Sequence, residues 1–103
     1  MLIYSYIMKL TELKAIQLAE LFSALSDASR VRIISALIEG EMSVSALAEG
    51  LNMTESAVSH QLRGLRQMRI VRARKEGRQV FYTLEDEHVQ KLYSMGLDHV
   101  EHG

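Results

Sequence analysis

The sequence contains no cysteine, and that absence excludes several kinds of chemistry at once. A chain without thiols forms no disulfide, holds no metal through thiolates and has no cysteine nucleophile. Proline is absent as well, so no residue of that kind interrupts a helical pattern. We therefore expect a helix-rich protein that binds metals only through nitrogen and oxygen atoms. The lack of cysteine leaves the compartment undecided, although it fits the cytoplasmic location that we expect.

The chain is short, with 103 residues of which 48% are hydrophobic. This length predicts a single domain, residues 1–103, whose modest core gains from dimerisation. The apolar start, Met1 to Met8, is too short to cross a bilayer and lacks the basic flank and cleavage site of a signal peptide. We expect a soluble protein with no membrane segment, whose first residues are either frayed or packed on a partner.

The formal net charge is only −1, but the charges are unevenly distributed. Residues 60–78 contain seven Lys or Arg and one acid, whereas the rest of the chain contains five basic and twelve acidic residues. A positive segment on an otherwise acidic protein concentrates attraction for phosphate on one surface. The distribution favours nucleic-acid binding, although a solvated helix face would explain any three of these cations.

Hydrophobic periodicity and capping residues predict helices along the first part of the chain. A first helical region ends near Ser26, and Asp27 is the predicted N-cap of a second helix that runs to Ile38 and stops before Gly40. In this second helix we expect four side chains to face the core: Val31, Ile34, Leu37 and Ile38.

Two shorter helices follow. Ser43 precedes a helix from Val44 to about Gly50, and Thr54 caps a helix that covers about residues 54–67. The exposed face of the second of these is polar and basic, and the pair is joined by a tight turn, which is typical of a helix-turn-helix. Its expected buried side chains are Ala57, Val58, Leu62 and Leu65.

After this helix, the hydrophobic pattern changes from helical periodicity to the alternation typical of β-strands. Residues 70–74 and 79–84 are rich in β-forming side chains and are joined by four residues that include Gly77, which predicts a β-hairpin with a basic tip. A helix-turn-helix followed by such a hairpin, here about residues 70–84, is a winged helix. A last helix over about residues 86–102 completes a mainly α fold with one β-hairpin.

Three of the four histidines lie in the last sixteen residues. His88 and His99 are eleven positions apart, so a continuous helix places them on one face, and His102 lies on the same stripe. Along the axis, however, eleven residues span roughly 16 Å, whereas a zinc ion needs its donors about 2 Å from the metal. One helix therefore cannot close a metal site around these histidines.

A second copy of the helix, antiparallel across a two-fold axis, would bring the donors together. Asp86 and His88 of one chain would meet His99 and His102 of the other, which gives two equivalent four-donor sites per dimer. Two alternatives stay open: the histidines are simply solvated, or Asp86 acts as the N-cap of the helix, a role compatible with metal binding. Asp98 and Glu101 lie close enough to replace a histidine ligand.

The stretch from residue 25 to 102 resembles the ArsR/SmtB family of metal-responsive winged-helix repressors. The segments that carry the resemblance are LSDASRVRIISAL (25–37), TESAVSHQLRGLRQMRIV (54–71), RKEGRQVFYTL (74–84) and the terminal D-x-H-x10-H-x2-H. One family feature is missing, because a cysteine-pair site, ELCVC, is replaced here by EMSVS (41–45). That difference disfavours a sensor of arsenic, cadmium, lead or mercury, since these soft ions prefer thiolates.

The resemblance implies roles for individual residues. Hydroxyl, imidazole and guanidinium groups on the outer face of the recognition helix would reach bases or phosphates, and wing residues would follow the backbone. For His60 a packed imidazole is the alternative. The implied metal site, three nitrogens and one oxygen, suits tetrahedral Zn(II) or Co(II) better than Ni(II). The implied DNA-binding residues are Ser56, Ser59, His60, Arg63, Arg74, Lys75, Arg78 and Gln79, and the metal ligands are Asp86, His88, His99 and His102.

The family resemblance implies a homodimeric repressor that binds operator DNA when metal-free and releases it when metal binds, controlling metal efflux or homeostasis genes. In relatives, a ligand histidine signals to the end of the recognition helix, which here would connect His99 to the region of Arg69. One alternative is a winged-helix regulator of a non-metal signal. The other is a small metal hydrolase, which is disfavoured because a four-ligand site leaves no position for water and no nucleophile–base pair is evident. We therefore expect no enzyme activity.

Overall fold

The computed structural model describes residues 9–103, so the expectation for the apolar start lies outside the described residues. Helices dominate, and a small sheet combines a short strand before the third helix with a hairpin between the fourth and fifth helices of the described part. None of these helices is both long and apolar enough to span a membrane. The elements are α1 (Glu12–Ala24), α2 (Ala28–Leu37), β1 (Met42–Ser43), α3 (Val44–Leu51), α4 (Glu55–Gln67), β2 (Val71–Glu76), β3 (Gln79–Leu84) and α5 (Glu87–His102).

Side-chain caps start the helices where the sequence predicts. The carboxylate of Asp27 accepts a hydrogen bond from the backbone N–H of Arg30 at 3.1 Å. The hydroxyl of Ser43 accepts a hydrogen bond from the backbone N–H of Ala46 at 3.1 Å, and the hydroxyl of Thr54 accepts one from the backbone N–H of Ala57 at 3.0 Å. Each cap satisfies a backbone donor that the first turn of a helix leaves unpaired.

Two helices end in left-handed residues. Asn52 has φ 55° after α3, and Arg69 has φ 58° after α4. In each case the next N–H bonds back to a carbonyl five residues earlier, Met53 to Ala48 and Ile70 to Leu65, both at 2.9 Å. This is the Schellman arrangement, which turns the chain sharply. It sets the tight turn between α3 and α4 and the turn from α4 into the hairpin.

The sheet contains one strand more than the predicted hairpin. The short strand β1 pairs antiparallel with β3, so the order is β1-β3-β2. The hairpin turn is also tighter than predicted: Glu76 pairs with Gln79, which leaves only Gly77 and Arg78 in the turn. Gly77 has φ 62°, as the first turn residue of a type II′ hairpin requires.

The core is formed by α2, α3, α4 and the base of the sheet. The buried positions predicted for α4 are confirmed, with Ala57 half-buried at the edge. In α2 the prediction for Val31 is wrong, since this side chain is 38% exposed, and Ile33, not predicted, is fully buried. The buried set is Ala24, Ile33, Ile34, Leu37, Leu47, Ala48, Val58, Leu62, Leu65, Ile70, Val71 and Tyr82.

Helices α1 and α5 lie outside this core. No residue of α5 is buried, and in α1 only Ala24 is. Phe22 is 52% exposed and Val100 82% exposed, although both are apolar. An open apolar groove of about 500 Å³ runs between α1, α2 and α5. One polar contact holds α5 on the body of the domain: the Tyr93 hydroxyl donates to Ser35 Oγ at 2.9 Å.

Truncation of a core residue tests this description. Ile33 has no exposed surface, so Ile33→Ala should lower the free energy of unfolding by about 2–5 kcal/mol through lost burial and a residual cavity. Met68→Ala removes a similar side chain that is 41% exposed and should cost much less. Equilibrium urea unfolding at one protein concentration measures both. Equal losses would contradict the assignment of the core.

Candidate nucleic-acid interface and metal centre

The outer face of α4 carries the residues proposed to read DNA. Ser56, His60 and Arg63 are exposed, and Ser59 is half-buried. They lie on the side opposite the buried stripe of Val58, Leu62 and Leu65, because residues three and four apart share a helix face. The alternative of a packed imidazole for His60 finds no support, since this residue is exposed.

The orientation of α4 is fixed by a polar contact that sequence analysis did not anticipate. Arg30 of α2 donates from Nε to Gln61 Oε1 at 2.9 Å and from its guanidinium to the carbonyl of Ala24 at 3.3 Å. The same arginine therefore links the end of α1, α2 and the recognition helix. No local sequence signal reveals it, because Arg30 and Gln61 are separated by 31 positions.

The recognition helix and the wing face one cleft. Ser59 of α4 lines an open cleft of about 240 Å³ together with Arg78 and Gln79 of the hairpin tip. The hydroxyls of Ser43 and Ser45, 3.2 Å apart at the start of α3, lie along its other side. The structure thus brings residues predicted separately on the helix and on the wing to one surface.

The basic residues of the segment 60–78 differ in their partners. Within the part of the chain that the structure describes, six of the seven Lys and Arg side chains have no acidic partner within 4 Å. The seventh, Arg74, has two: Glu41 at 2.7 Å and Glu76 at 2.5 Å. Lys75, Arg78 and Gln79 are exposed at the hairpin tip. Among the seven cations of this segment, Arg74 therefore differs from the others in that its charge is already paired.

The predicted metal ligands form two separate groups at the ends of α5. At the first end, Asp86 caps the helix: its Oδ1 accepts from the backbone N–H groups of His88 at 2.9 Å and Val89 at 3.3 Å. The His88 ring nitrogen Nδ1 lies 3.5 Å from the same oxygen, and this side chain is 84% exposed. The capping alternative for Asp86 is confirmed, and capping leaves its other oxygen free of these contacts.

The pKa of Asp86 reflects this environment. Partial desolvation alone would raise the pKa of the carboxyl, but the backbone N–H groups of Val89 and His88 and the His88 ring favour its ionised form. The net result is a pKa below the usual value for aspartate. Asp86 is therefore a carboxylate at neutral pH, the form that binds metal.

At the other end of α5, His99 and His102 are three positions apart, and both are exposed in its last turns. Among residues 9–103, no three histidine, aspartate or glutamate side chains are grouped closely enough to hold a metal ion. Each end of the helix thus offers two donors, half of a tetrahedral zinc site. Within a single chain the two halves stay apart, as the helical rise requires.

Comparison with known proteins identifies the family. The sequence profile described as "Bacterial regulatory protein, arsR family" matches residues 27–73, from the cap of α2 into β2. The "Transcriptional repressor SmtB homolog" of Synechocystis sp. is 51% identical over 88 residues, which cover 85% of this chain and 67% of that protein. The chain belongs to the arsR family. It is thus one of a family of transcription regulators and not an enzyme.

Further arsR-family proteins extend the similarity. A "Cadmium resistance transcriptional regulatory protein CadC homolog" of Staphylococcus aureus is 42% identical over 79% of this chain and 68% of its own length. The chain therefore spans about two thirds of the length of both sequence relatives. A homodimeric winged helix-turn-helix DNA-binding domain from Mycobacterium bovis superposes with a TM-score of 0.79 at 29% identity, over 84% of this chain and 81% of that one. The predicted winged-helix fold is confirmed.

Two substitutions separate the capping role of Asp86 from its predicted role as a metal ligand. Asparagine caps a helix about as well as aspartate, but its neutral amide is a poor metal ligand, whereas alanine does neither. Asp86→Ala should lower the thermal midpoint of the metal-free protein, and Asp86→Asn should keep it near the wild-type value. Both variants should bind Zn(II) more weakly in competition with a chelator. Wild-type zinc affinity in both would leave Asp86 as a cap alone.

The same pair gives a pH signature. Because the pKa of Asp86 is depressed in the folded chain, its contribution to stability is present above the ordinary aspartate pKa and is lost as the pH falls through the folded value. The asparagine variant does not titrate at this position. Its thermal midpoint should therefore fall less than that of the wild type as the pH is lowered.

Proposed function

We propose that this arsR-family chain is a homodimeric metal-sensing repressor that holds operator DNA when metal-free and releases it on binding Zn(II) or Co(II). The observation that carries the proposal is the division of four donors into two pairs at opposite ends of α5. Such a division is useful only if a second chain supplies the missing pair. The regulated genes would serve metal efflux or homeostasis, and the protein would act in the cytoplasm.

The exposed apolar groove supports dimerisation. Its lining residues come from α1, α2 and α5, and in water such a large open apolar surface favours association. A two-fold axis that runs α5 antiparallel to its copy would cover this groove and bring Asp86 and His88 to His99 and His102 of the partner. The related Mycobacterium bovis domain is homodimeric, which supports dimerisation of this chain as well.

The DNA-binding surface would be the face shared by α4 and the wing. Ser56, Ser59, His60 and Arg63 would reach base edges or phosphates in the major groove. Lys75, Arg78 and Gln79 would contact the backbone beside it, since they are exposed at the hairpin tip. Arg74, the remaining wing residue expected at the DNA, is already paired with the carboxylates of Glu41 and Glu76.

The donor chemistry supports Zn(II) or Co(II) as the inducer. Three imidazoles and a carboxylate suit tetrahedral coordination of these ions. One relative is named for cadmium resistance. Cadmium favours thiolates, however, and this chain has no cysteine. Metal would act by binding one quaternary arrangement more tightly than the other, and this difference in affinity is what can shift the DNA-binding equilibrium.

A second function keeps the same DNA surface but responds to a non-metal signal. The exposure of His88, His99 and His102 is compatible with histidines that bind nothing. Chelator competition with the purified dimer separates the two functions. Two zinc ions bound per dimer, with release of DNA on titration, support the metal sensor, and the absence of zinc binding supports the alternative.

Loss of Arg63 tests the recognition face. The operator for this test is a duplex selected by the wild-type protein from a random-sequence pool. Arg63→Ala should weaken binding to it roughly 5- to 150-fold, the range for a lost base contact, while zinc affinity stays unchanged. Lys91→Ala removes the same charge from α5, where Lys91 lies 3.9 Å from Glu87, and serves as the control. Operator binding equal to wild type in Arg63→Ala would contradict the assigned face.

Mixed dimers test the shared metal site. His88→Ala and His99→Ala should each abolish zinc-induced release, while both metal-free proteins still dimerise and bind the operator. A heterodimer of the two variants would contain one site that lacks both histidines and one site that is intact, because the intact donors come from opposite chains. It should therefore bind one zinc per dimer with high affinity. If each site lay within one chain, both sites would be damaged and no such recovery would occur.

A further inference from the structure

Arg74 of β2 contacts a residue of β3 and the residue that precedes β1. It lies on the edge strand β2 directly opposite Phe81 of β3, and its guanidinium carbon is 4.8 Å from the centre of the Phe81 ring. Beyond Phe81 it reaches Glu41, just before β1, with Nε donating at 3.1 Å and a terminal nitrogen at 2.7 Å. Such a two-point contact fixes the guanidinium plane more firmly than a single ion pair.

The outer half of strand β2 has few buried side chains to hold it. In β2 only Val71 is buried and Ala73 half-buried, and the rest of the strand is exposed. Because β2 is an edge strand, it pairs only with β3. Arg74 lies in the middle of this exposed part, three residues before the turn at Gly77. Its bond to Glu41 therefore links this exposed part of β2 to the segment that leads into α3.

The charge of Arg74 is also unsuited to a phosphate contact. Glu41 and Glu76 both pair with it, and the hydrogen bond from Arg74 holds the pKa of Glu41 below its usual value. A phosphate would have to displace two carboxylates. Neighbouring Lys75 and Arg78 are exposed and have no such partners among the described residues.

We propose that Arg74 is a positioning residue: with Glu41 it fixes the angle of the wing relative to the helix-turn-helix, so that Lys75 and Arg78 meet the DNA backbone. This assignment rests on the proposed DNA-binding function. It replaces the direct DNA contact expected from the sequence for Arg74. Glu41, an acid close to the DNA surface, strengthens DNA binding in this arrangement.

The direction in which Glu41→Gln changes DNA affinity shows whether Glu41 acts by its charge alone or by holding Arg74 in place. If Glu41 acted only by its charge, its removal would reduce repulsion of DNA and free Arg74, so binding would tighten. If Glu41 holds Arg74 in place, the same change loosens the wing. We expect Glu41→Gln and Arg74→Ala each to weaken binding to the selected operator about threefold, the scale of a well-oriented surface ion pair. The double variant should be no weaker than either single one, because both break one link.

Salt dependence separates positioning from contact. Lys75→Ala, the adjacent unpaired cation, should reduce the slope of log affinity against log salt by about 0.9, as expected for one lost phosphate contact. Arg74→Ala should leave the slope close to wild type. Amide hydrogen exchange at residues 75–79 should speed up in Glu41→Gln, whereas exchange in α4 should stay unchanged.

The results of these experiments distinguish a wrong role for Arg74 from a wrong DNA-binding surface. Tighter operator binding by Glu41→Gln, or a slope reduced by about 0.9 in Arg74→Ala, would overturn the positioning role. Unchanged hydrogen exchange at the hairpin tip would overturn it as well. If Arg63→Ala and Lys75→Ala also bind DNA like the wild type, the proposed DNA surface itself is wrong. Normal losses in these two variants, with no loss in Glu41→Gln, would reject only the role of Arg74.

Discussion

The buried core of this chain lies almost entirely in its DNA-reading half, and this packing governs the rest of the molecule. Side chains such as Ile33, Leu47 and Leu62 join α2, α3 and α4 to the base of the sheet. A chain of this length has few apolar residues left to cover two further helices. The apolar sides of α1 and α5 therefore remain open around a groove, and association becomes the way to bury them. In the proposed dimer, metal sensing depends on the same step, since the apolar surface that drives pairing lies on the helix that carries the donors.

Because of helical geometry, the proposed metal site can form only when two chains are suitably arranged. A rise of about 1.5 Å per residue keeps His88 and His99 apart on one chain, whatever the side chains do. A metal that requires both can be held only by an arrangement of two chains, so metal affinity and subunit arrangement are linked by the same free energy. Arg30 offers a short route from that arrangement to DNA, because it contacts the end of α1 and, through Gln61, the recognition helix.

Local signals determined what the sequence could predict. The caps at Asp27, Ser43, Thr54 and Asp86 follow from chemistry within three residues, and all four are found in the structure. Strand β1 was missed because two residues show no alternation and form a strand only by pairing with β3. Val31 was assigned to the core on periodicity alone, but it lies at the edge of the buried stripe, beside the open groove. The two pairs of metal donors on α5 were predictable from their spacing in the sequence. Bringing the pairs together requires a second chain, and the sequence of one chain does not specify how two chains are arranged.

The charges of the wing are a second case in which the sequence alone does not predict the role of a residue. Composition counts Arg74 as one of seven equivalent cations between residues 60 and 78. The fold distinguishes it, because antiparallel pairing places it over Phe81 and within reach of Glu41, an acid 33 positions earlier in the chain. A cation that already has two acidic partners releases few counterions when DNA approaches, so its contribution to binding is geometric. The positive surface of this protein is therefore smaller than its sequence suggests. Its contribution to DNA binding depends on how firmly the ion pair between Arg74 and Glu41 holds the hairpin in place.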